Sequence, residues 1–317
     1  MKPPVAGSDA APPWRRATRI DRRRSTSTSK ALTQALIDGA VWEELTPHEA
    51  LDVLRPGDGA LGRLDVSPTL DGIDDGLWAL GALAARGVHV LNDPGSLLAT
   101  HDKLLTARIL RRHGLPHPAT THVRDGRMAP PFAGFPVVVK PRFGSWGKAV
   151  YRCDDSTALA QTLAAVSREE WFARHGAIVQ TLVPPLGYDL RVLVAAGRVA
   201  GAVYRIAPAG EWRTNVNLGA VRRAVDDPPR EAVALPLRAA RAAGTSLVGV
   251  DLLPRRDGSW VVVELNGAVE FTSDYSTWFD VFAEVALLLQ DELVDRRARP
   301  EWQPAAPEVS SSSRSRG

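Results

Sequence analysis

Apolar and polar positions along this chain alternate between a helical and a strand period. In the first third, "SKALTQALIDGA" has apolar residues at helical spacing and "DGALGRLDV" reads as a short strand between turn signals. "IDDGLWALGALAARG" predicts a helix ending at Gly87, and "VHVLN" a further strand. Only "ATRI" precedes the first helix, so the opening strand is expected to be short or frayed. "SLLATHDKLLTARILRRHG" predicts one helix with Leu97, Leu98, Leu104, Leu105 and Ile109 on its apolar side, stopped by Gly114 and "LPHP". From "PFAGFPVVVK" onward the pattern turns to strands: the valine run, "KAVYRC" and "GAIVQTLV", with helix between 157 and 174. The last part predicts two hairpins, turning at Ala196-Gly197 and Asp257-Gly258, with the helix "REAVALPLRAARAAG" between them.

Composition narrows the classes. At 317 residues and 44% hydrophobic content the chain can bury a substantial core, in two or three compact units. Its apolar runs end well short of the ~18 residues of a membrane helix, so no membrane partner is expected. The single cysteine, Cys153, excludes a disulfide framework or a cysteine metal cluster and fits a reducing, cytoplasmic setting. Net charge is only +3, and the basic excess is concentrated in "WRRATRIDRRR", followed by "STSTS" with no apolar signal region. Residues 1–30 are therefore expected to be a solvated, disordered basic segment, and 298–317, ending "SSSSRSRG", a disordered tail. Nucleic acid is not an expected partner, and a homo-oligomer is compatible with the sequence.

Seven histidines are scattered without metal-ligand spacing. The lysines say more. There are five of them (Lys2, Lys30, Lys103, Lys140, Lys148) among 39 basic residues, and three fall between 103 and 148. A lysine's compact charge suits phosphate oxygens. In "FPVVVKPRFGSWGKAV", Lys140 leaves a valine-rich strand and is followed by a turn containing Gly144, Ser145, Trp146 and Gly147. This is not a Walker A loop, because Ala149 follows Lys148 and the next segment reads as a strand. A glycine-bearing hairpin lid over phosphates is the functional alternative to an ordinary surface hairpin.

If Asp257-Gly258 is a two-residue turn, Arg256 faces Ser259, Pro254 faces Val261 and Asp251 faces Glu264. Two carboxylates then sit on one side of the sheet with Cβ atoms about 4.5–5.5 Å apart, where like charges repel. Asn266 shares that face. Three oxygen donors beside valine-rich strands suit a hard cation such as Mg²⁺ carrying a phosphate, with a solvent-screened surface pair as the bland alternative.

At this point the chain resembles the ATP-grasp superfamily, and within it the RimK-like α-L-glutamate ligases and the related amino-group-carrier ligases. The resemblance spans about 90 to 290 and rests on "LNDPGSLLATHDKLLTARILRRHGLPHPAT", "VVVKPRFGSWGKAV", "IVQTLV", "YDLRVLVAAGRV", "EWRTNVNLGA", "GVDLL" and "VVVELNG", in that order. It implies an α/β (α+β) ATP-grasp fold: a small N-terminal α/β domain over 31–92, then two α+β subdomains over 93–175 and 176–297 enclosing ATP. By the same resemblance Lys103 and Lys140 hold nucleotide phosphates, and Gly144, Ser145, Trp146 and Gly147 form the mobile lid. Gln180, Thr181 and Leu182 meet adenine, and Asp189 and Arg191 belong with the nucleotide-binding residues. Arg213 and Asn215 line the acyl-phosphate site, and Asp251, Glu264 and Asn266 hold Mg²⁺, with Mn²⁺ as the alternative ion.

Two departures stand out. Thr181 replaces the acidic residue usual in the glutamate ligases, which shifts adenine recognition toward backbone groups. After Asn266 the chain runs Gly267-Ala268-Val269-Glu270-Phe271, closer to the carrier-protein ligases.

The implied reaction is an ATP-dependent carboxylate–amine ligation through an acyl phosphate, releasing ADP and phosphate. Its substrates are ATP, a carboxylate and an amine, for example an amino acid and an acidic carrier peptide or protein. A catalytically reduced ATP-binding regulatory module and a phosphotransferase are the alternatives. Arg191 and Arg205 lie on alternating strands and read as solvated cations or ion-pair partners as readily as residues of the site. Trp146, Trp212 and Trp260 are expected near the site.

Overall fold

The computed structural model describes residues 17–20, 27–35, 42–127 and 134–298. The described residues form three sheets.

The first is parallel: β1 (Ala17–Ile20), β2 (Trp42–Leu45), β3 (Gly59–Gly62) and β4 (His89–Leu91), in the order β2-β1-β3-β4. Its helices are α1 (Ser27–Ala35), α2 (Pro47–Val53) and α3 (Leu77–Ala85). The expected disordered segment 1–30 is thus corrected in part. Ala17–Ile20 is an inner strand paired on both edges, and α1 begins at Ser27, while 1–16 and 21–26 lie outside the described residues, as does the tail beyond 298. β2 and α2 carry too few residues to establish a period, but α2 does announce itself by a capping box. The Thr46 hydroxyl accepts from Glu49 N, and the Glu49 carboxylate accepts from Thr46 N at 2.8 Å.

The long helix expected over 96–114 is two helices, α4 (Pro94–His101) and α5 (Lys103–Arg112). Asp102 parts them. Its extended backbone ends α4, and its carboxylate caps α5 by accepting from Leu104 N (3.0 Å) and Leu105 N (3.3 Å). The Arg142 Nε donates to the same carboxylate at 2.7 Å. Apolar periodicity continues across the break, which is why the sequence reads as one helix.

The second sheet is antiparallel: β5 (Thr120–Val123), β6 (Val137–Pro141), β7 (Tyr151–Cys153) and β8 (Ala177–Thr181), in the order β5-β8-β6-β7. The helix expected over 157–174 is a pair, α6 (Ser156–Val166) and α7 (Glu170–His175). Val137 and Val139 pack with Leu159, Leu163 and Phe172 from these helices. With side chains alternating along a strand, Val138 and Lys140 therefore face the other way, into a cavity. Because β8 is hydrogen-bonded into this sheet, the sheet runs past the expected boundary at 175.

The third sheet comprises β9 (Tyr188–Ala195), β10 (Arg198–Ile206), β11 (Val221–Ala224), β12 (Leu247–Pro254) and β13 (Trp260–Asn266), in the order β11-β10-β9-β12-β13. On one face, Leu190, Val192, Val250 and Leu252 pack with Leu110 of α5 and with Leu235 and Ala239 of α8 (Arg230–Ala243). On the other, Leu193 and Leu247 pack with Phe271, Tyr275 and the helix α9 (Val281–Ala298). Leu32, Leu61 and Leu91 of the first unit join that same cluster, so the N-terminal unit shares its core with the C-terminal sheet.

The β9–β10 hairpin turns at Ala196-Gly197 as expected, both at positive φ (47° and 74°). The β12–β13 hairpin does not follow the expected register throughout. Arg255 N donates to Ser259 O, and Gly258 at φ 83° closes a three-residue loop, so Pro254 faces Trp260 rather than Val261. A bulge between Asp251 and Leu252 removes the offset and brings Asp251 opposite Glu264 after all.

Candidate active site

The second and third sheets and the N-terminus of α5 enclose one cavity. It is lined by every candidate residue taken from the sequence: Lys103, Lys140, Gly144, Ser145, Trp146, Gly147, Gln180, Thr181, Leu182, Asp189, Arg191, Arg213, Asn215, Asp251, Glu264 and Asn266. Trp212 also lines it, but Trp260 does not: it is buried in the apolar cluster beneath the sheet.

The break at Asp102 puts Lys103 in the first turn of α5, where helix N–H groups add positive potential. The Lys103 Nζ donates to Glu264 Oε1 at 2.7 Å and to the carbonyl of Gly144, linking α5, β13 and the glycine turn. Lys140 comes from the β6 strand, buried, with Nζ 2.9 Å from Gln180 Oε1. Burial pulls its ammonium down to about 8, against the opposing pull of Glu264. The Glu264 carboxyl is held below its ordinary range, because Lys103 and Lys140 outweigh the effect of burial.

Two residues that sequence reasoning passed over, His117 and Thr120, fix Gln180. Burial keeps His117 neutral, with its pKa near 4. Its Nδ1–H donates to the Val262 carbonyl at 2.7 Å, which leaves Nε2 bare to accept from the Gln180 amide at 3.1 Å. The Thr120 hydroxyl donates to Pro118 O at 2.8 Å, so its oxygen accepts the second Gln180 N–H, also at 2.8 Å. With both amide hydrogens committed, the Gln180 oxygen is the end that meets Lys140. "LPHPAT" carried His117 and Thr120 in plain view, but nothing in their spacing links them to residue 180.

The opposite wall is a ladder of charge. Cross-strand pairing sets Arg205 beside Asp189, and Arg191 beside Asp251, which faces Glu264. Arg191 binds Asp251 through Nε (2.6 Å) and a terminal nitrogen (2.7 Å). Arg205 bridges Asp189 and Asp251, the latter at 2.8 Å, and the Thr214 hydroxyl also donates to Asp189. Arg191 and Arg205 are thus ion-pair partners, and both also line the cavity. Burial would raise the Asp251 carboxyl, but the two guanidinium groups hold it down at about 2.

Arg213 is half-buried and clasped by Glu211 at 2.8 Å. Asn215 precedes a 3₁₀ turn over Val216–Leu218, with its side chain beside Gly147. A Cβ on Gly147 would lie 2.7 Å from Asn215 Oδ1, and Gly147 holds φ at 69°, so the turn requires glycine there. The backbone N–H of Thr181 donates to Ala119 O and that of Leu182 to Pro136 O, so both are committed inside the fold.

Among the described residues no three His, Cys, Asp or Glu side chains form a metal-binding cluster. A divalent ion nonetheless fits the oxygen donors present. Glu264 is half-buried, and the Asn266 amide nitrogen is turned to Gly249 O at 3.4 Å, leaving its oxygen as the available end. A carboxylate has about four acceptor sites, and three of those on Asp251 are used by arginine. Asp251 therefore has one to offer.

Residues 100–286 match the RimK-like ATP-grasp domain family. The chain belongs to that family. Similar proteins include the α-aminoadipate–LysW ligase LysX of Saccharolobus solfataricus, 30% identical over 190 residues (58% of this chain, 68% of that protein). The glutamate–LysW ligase ArgX of Sulfurisphaera tokodaii is 29% identical over 250 residues (75% and 86%). The human N-acetylaspartylglutamate synthase A is 32% identical over 206 residues (62% and 51%).

Among solved structures, a RimK-domain ATP-grasp protein from Sphaerobacter thermophilus superposes with a TM-score of 0.63 at 21% identity, covering 86% of this chain and 98% of its own. The ATP complex of D-alanine–D-alanine ligase from Bacillus anthracis gives 0.60 at 17%, covering 87% and 98%. Both likenesses establish the ATP-grasp fold. This RimK-like protein is an ATP-dependent carboxylate–amine ligase, and its family uses divalent metal. No helix among its described residues is long and apolar enough to cross a membrane.

Proposed function

We propose that ATP lies in the cavity with its phosphates toward Lys103, Lys140 and the turn over 144–147, and its adenine among Val138, Leu182, Leu186 and Leu253. Adenine is read through backbone carbonyls near Thr181 and Leu182, since their N–H groups are committed. Glu264 and Asn266, with the remaining acceptor site of Asp251, would hold Mg²⁺, or Mn²⁺ in its place, which supplies charge neutralisation at the β- and γ-phosphates when bound. Arg213 and Asn215 face the transferring phosphoryl group. A substrate carboxylate attacks the γ-phosphorus, ADP leaves, and an amine displaces phosphate from the acyl carbon to form the amide. The protein's share is positioning and charge compensation.

The reading rests above all on the meeting of Lys103, Lys140 and Glu264, from three separate elements, in one cavity. The amine is an amino acid, and the carboxylate belongs to a small molecule or an acidic carrier peptide or protein, in keeping with the relatives' names. The enzyme works in the cytoplasm as an α/β unit that includes the strand Ala17–Ile20 and the helix Ser27–Ala35 and ends near residue 92, followed by two subdomains that meet near residue 181. Glu264→Gln tests the metal assignment: it is expected to abolish ADP release while circular dichroism and melting temperature stay near wild type. ADP release at the wild-type rate would remove Glu264 from the metal site.

A further inference from the structure

The helix α9 is apolar on two sides. Its inner side, with Val285, Leu289 and Leu293, fills the core beneath the third sheet. Its outer side carries a second stripe at helical spacing, Phe279, Ala283, Leu287 and Val294, with Trp278 next to it. Trp278, Phe279, Leu287 and Val294 are 73%, 47%, 54% and 41% exposed. Together they present roughly 400 Å² of apolar surface, the size of the largest patch on an ordinary monomer and often a contact site. Asp280, Glu284, Asp291 and Asp295 run along one flank of the stripe without an ion pair to a described residue. Asp291 and Asp295 repel each other across one helical turn. Of the cations alongside, Arg296 is held by Glu292, and Arg198 lies across a groove from Asp291 and Asp295.

The complement lies on the opposite face of the same sheet, where α8 packs beside α5. The outer row of α8 is Arg230, Ala234, Leu237 and Arg241, with Arg238 next to it and Glu231 as the single acid of the helix. α5 adds Arg108, Arg111 and Arg112. All six arginines are exposed and have no ion pair with a described residue. Glu284 and Asp295 stand eleven residues apart on α9, as do Arg230 and Arg241 on α8, about 16.5 Å in each helix. Because α8 and α9 cover opposite faces of one sheet, the two surfaces cannot meet within a single molecule. An antiparallel pairing of α9 with its own copy about a twofold axis would set both acidic rows on the same side, where they repel.

We propose that copies of this chain associate head to tail, the outer face of α9 on one against the outer face of α8 on the next. Such an interface is heterologous, so it extends into rings or open chains and does not close as a dimer. Neither face lines the nucleotide cavity, and the proposal is independent of the ligase reading.

The test is sedimentation velocity on the full chain across roughly 1–100 µM, in low salt and in about 0.5 M salt. In low salt the weight-average mass is expected to rise with concentration beyond that of a dimer, and high salt should return it toward the monomer. Two double variants decide the geometry: Asp291→Lys with Asp295→Lys on α9, and Arg230→Glu with Arg241→Glu on α8. The four side chains are exposed, and melting temperature checks that each variant folds. Each variant alone should stay monomeric. An equimolar mixture should associate again, because the native α9 of one meets the native α8 of the other. A wild type that is monomeric throughout, a mass that stops at the dimer, an α8 variant that still self-associates, or a mixture that stays monomeric would each overturn the proposal.

Discussion

On the β6–β8 side of the cavity the Lys140 ammonium meets a neutral amide, whereas on the β9–β12 side each buried guanidinium meets a carboxylate. Both walls are deeply buried and both carry strong charge. On the first, Lys140 is left for an incoming anion, and burial has already weakened its hold on its proton. On the second, Asp189, Arg205, Asp251 and Arg191 satisfy one another before any ligand arrives. In the proposed function the first wall meets the phosphates, while the second chiefly keeps geometry and lends the metal one acceptor site of Asp251. Mutations should therefore divide between those that unfold the protein and those that empty its site.

The largest expected effect is on the paired wall. Arg205→Met leaves Asp189 and Asp251 short of a partner in a dry interior, and should cost about 3–5 kcal/mol in chemical denaturation. On the other wall, Lys140→Ala should weaken ATP binding by about 1.5–3 kcal/mol in calorimetry and leave the denaturation midpoint nearly unchanged. A matching loss of stability would erase the contrast. Gly147→Ala comes next, because its methyl group would press on Asn215 and a left-handed residue costs about 1–2 kcal/mol. It should lower kcat/KM without a comparable fall in melting temperature.

The smallest effect is that of pH. In the proposed site ATP meets the protonated form of Lys140, and in the free protein that form is lost as pH rises through about 8. Affinity should be level below that point and then fall by at most about tenfold per pH unit. Lys140→Arg, which stays charged, should flatten the decline.

The walls also differ in how far the sequence disclosed them. Lys140 and its glycine turn were visible because a lysine ending a valine run is conspicuous, and Asp251 with Glu264 because hairpin arithmetic paired them. That pairing was reached through a wrong turn length, which a bulge offsets. Bulges leave no mark in an alternating pattern. For Arg191 and Arg205 ion pairing was one open reading, but their partners could not be named, since those lie on other strands. The helix break at Asp102 was hidden by apolar spacing that continues through it, and only the contact with Arg142, forty positions away, reveals what Asp102 holds. Local periods and turns were legible, while contacts between distant segments required the fold.

The most direct test of the central claim, that the two walls activate a carboxylate at the γ-phosphorus, is a product analysis with hydroxylamine in place of the amine. Purified protein is given ATP, Mg²⁺ and a panel of di- and tricarboxylic acids and acidic peptides, and nucleotides and hydroxamates are measured in the same tubes. ADP with a hydroxamate from at least one acid is the predicted result. AMP with pyrophosphate, or ADP without hydroxamate from every acid that stimulates its release, would contradict it.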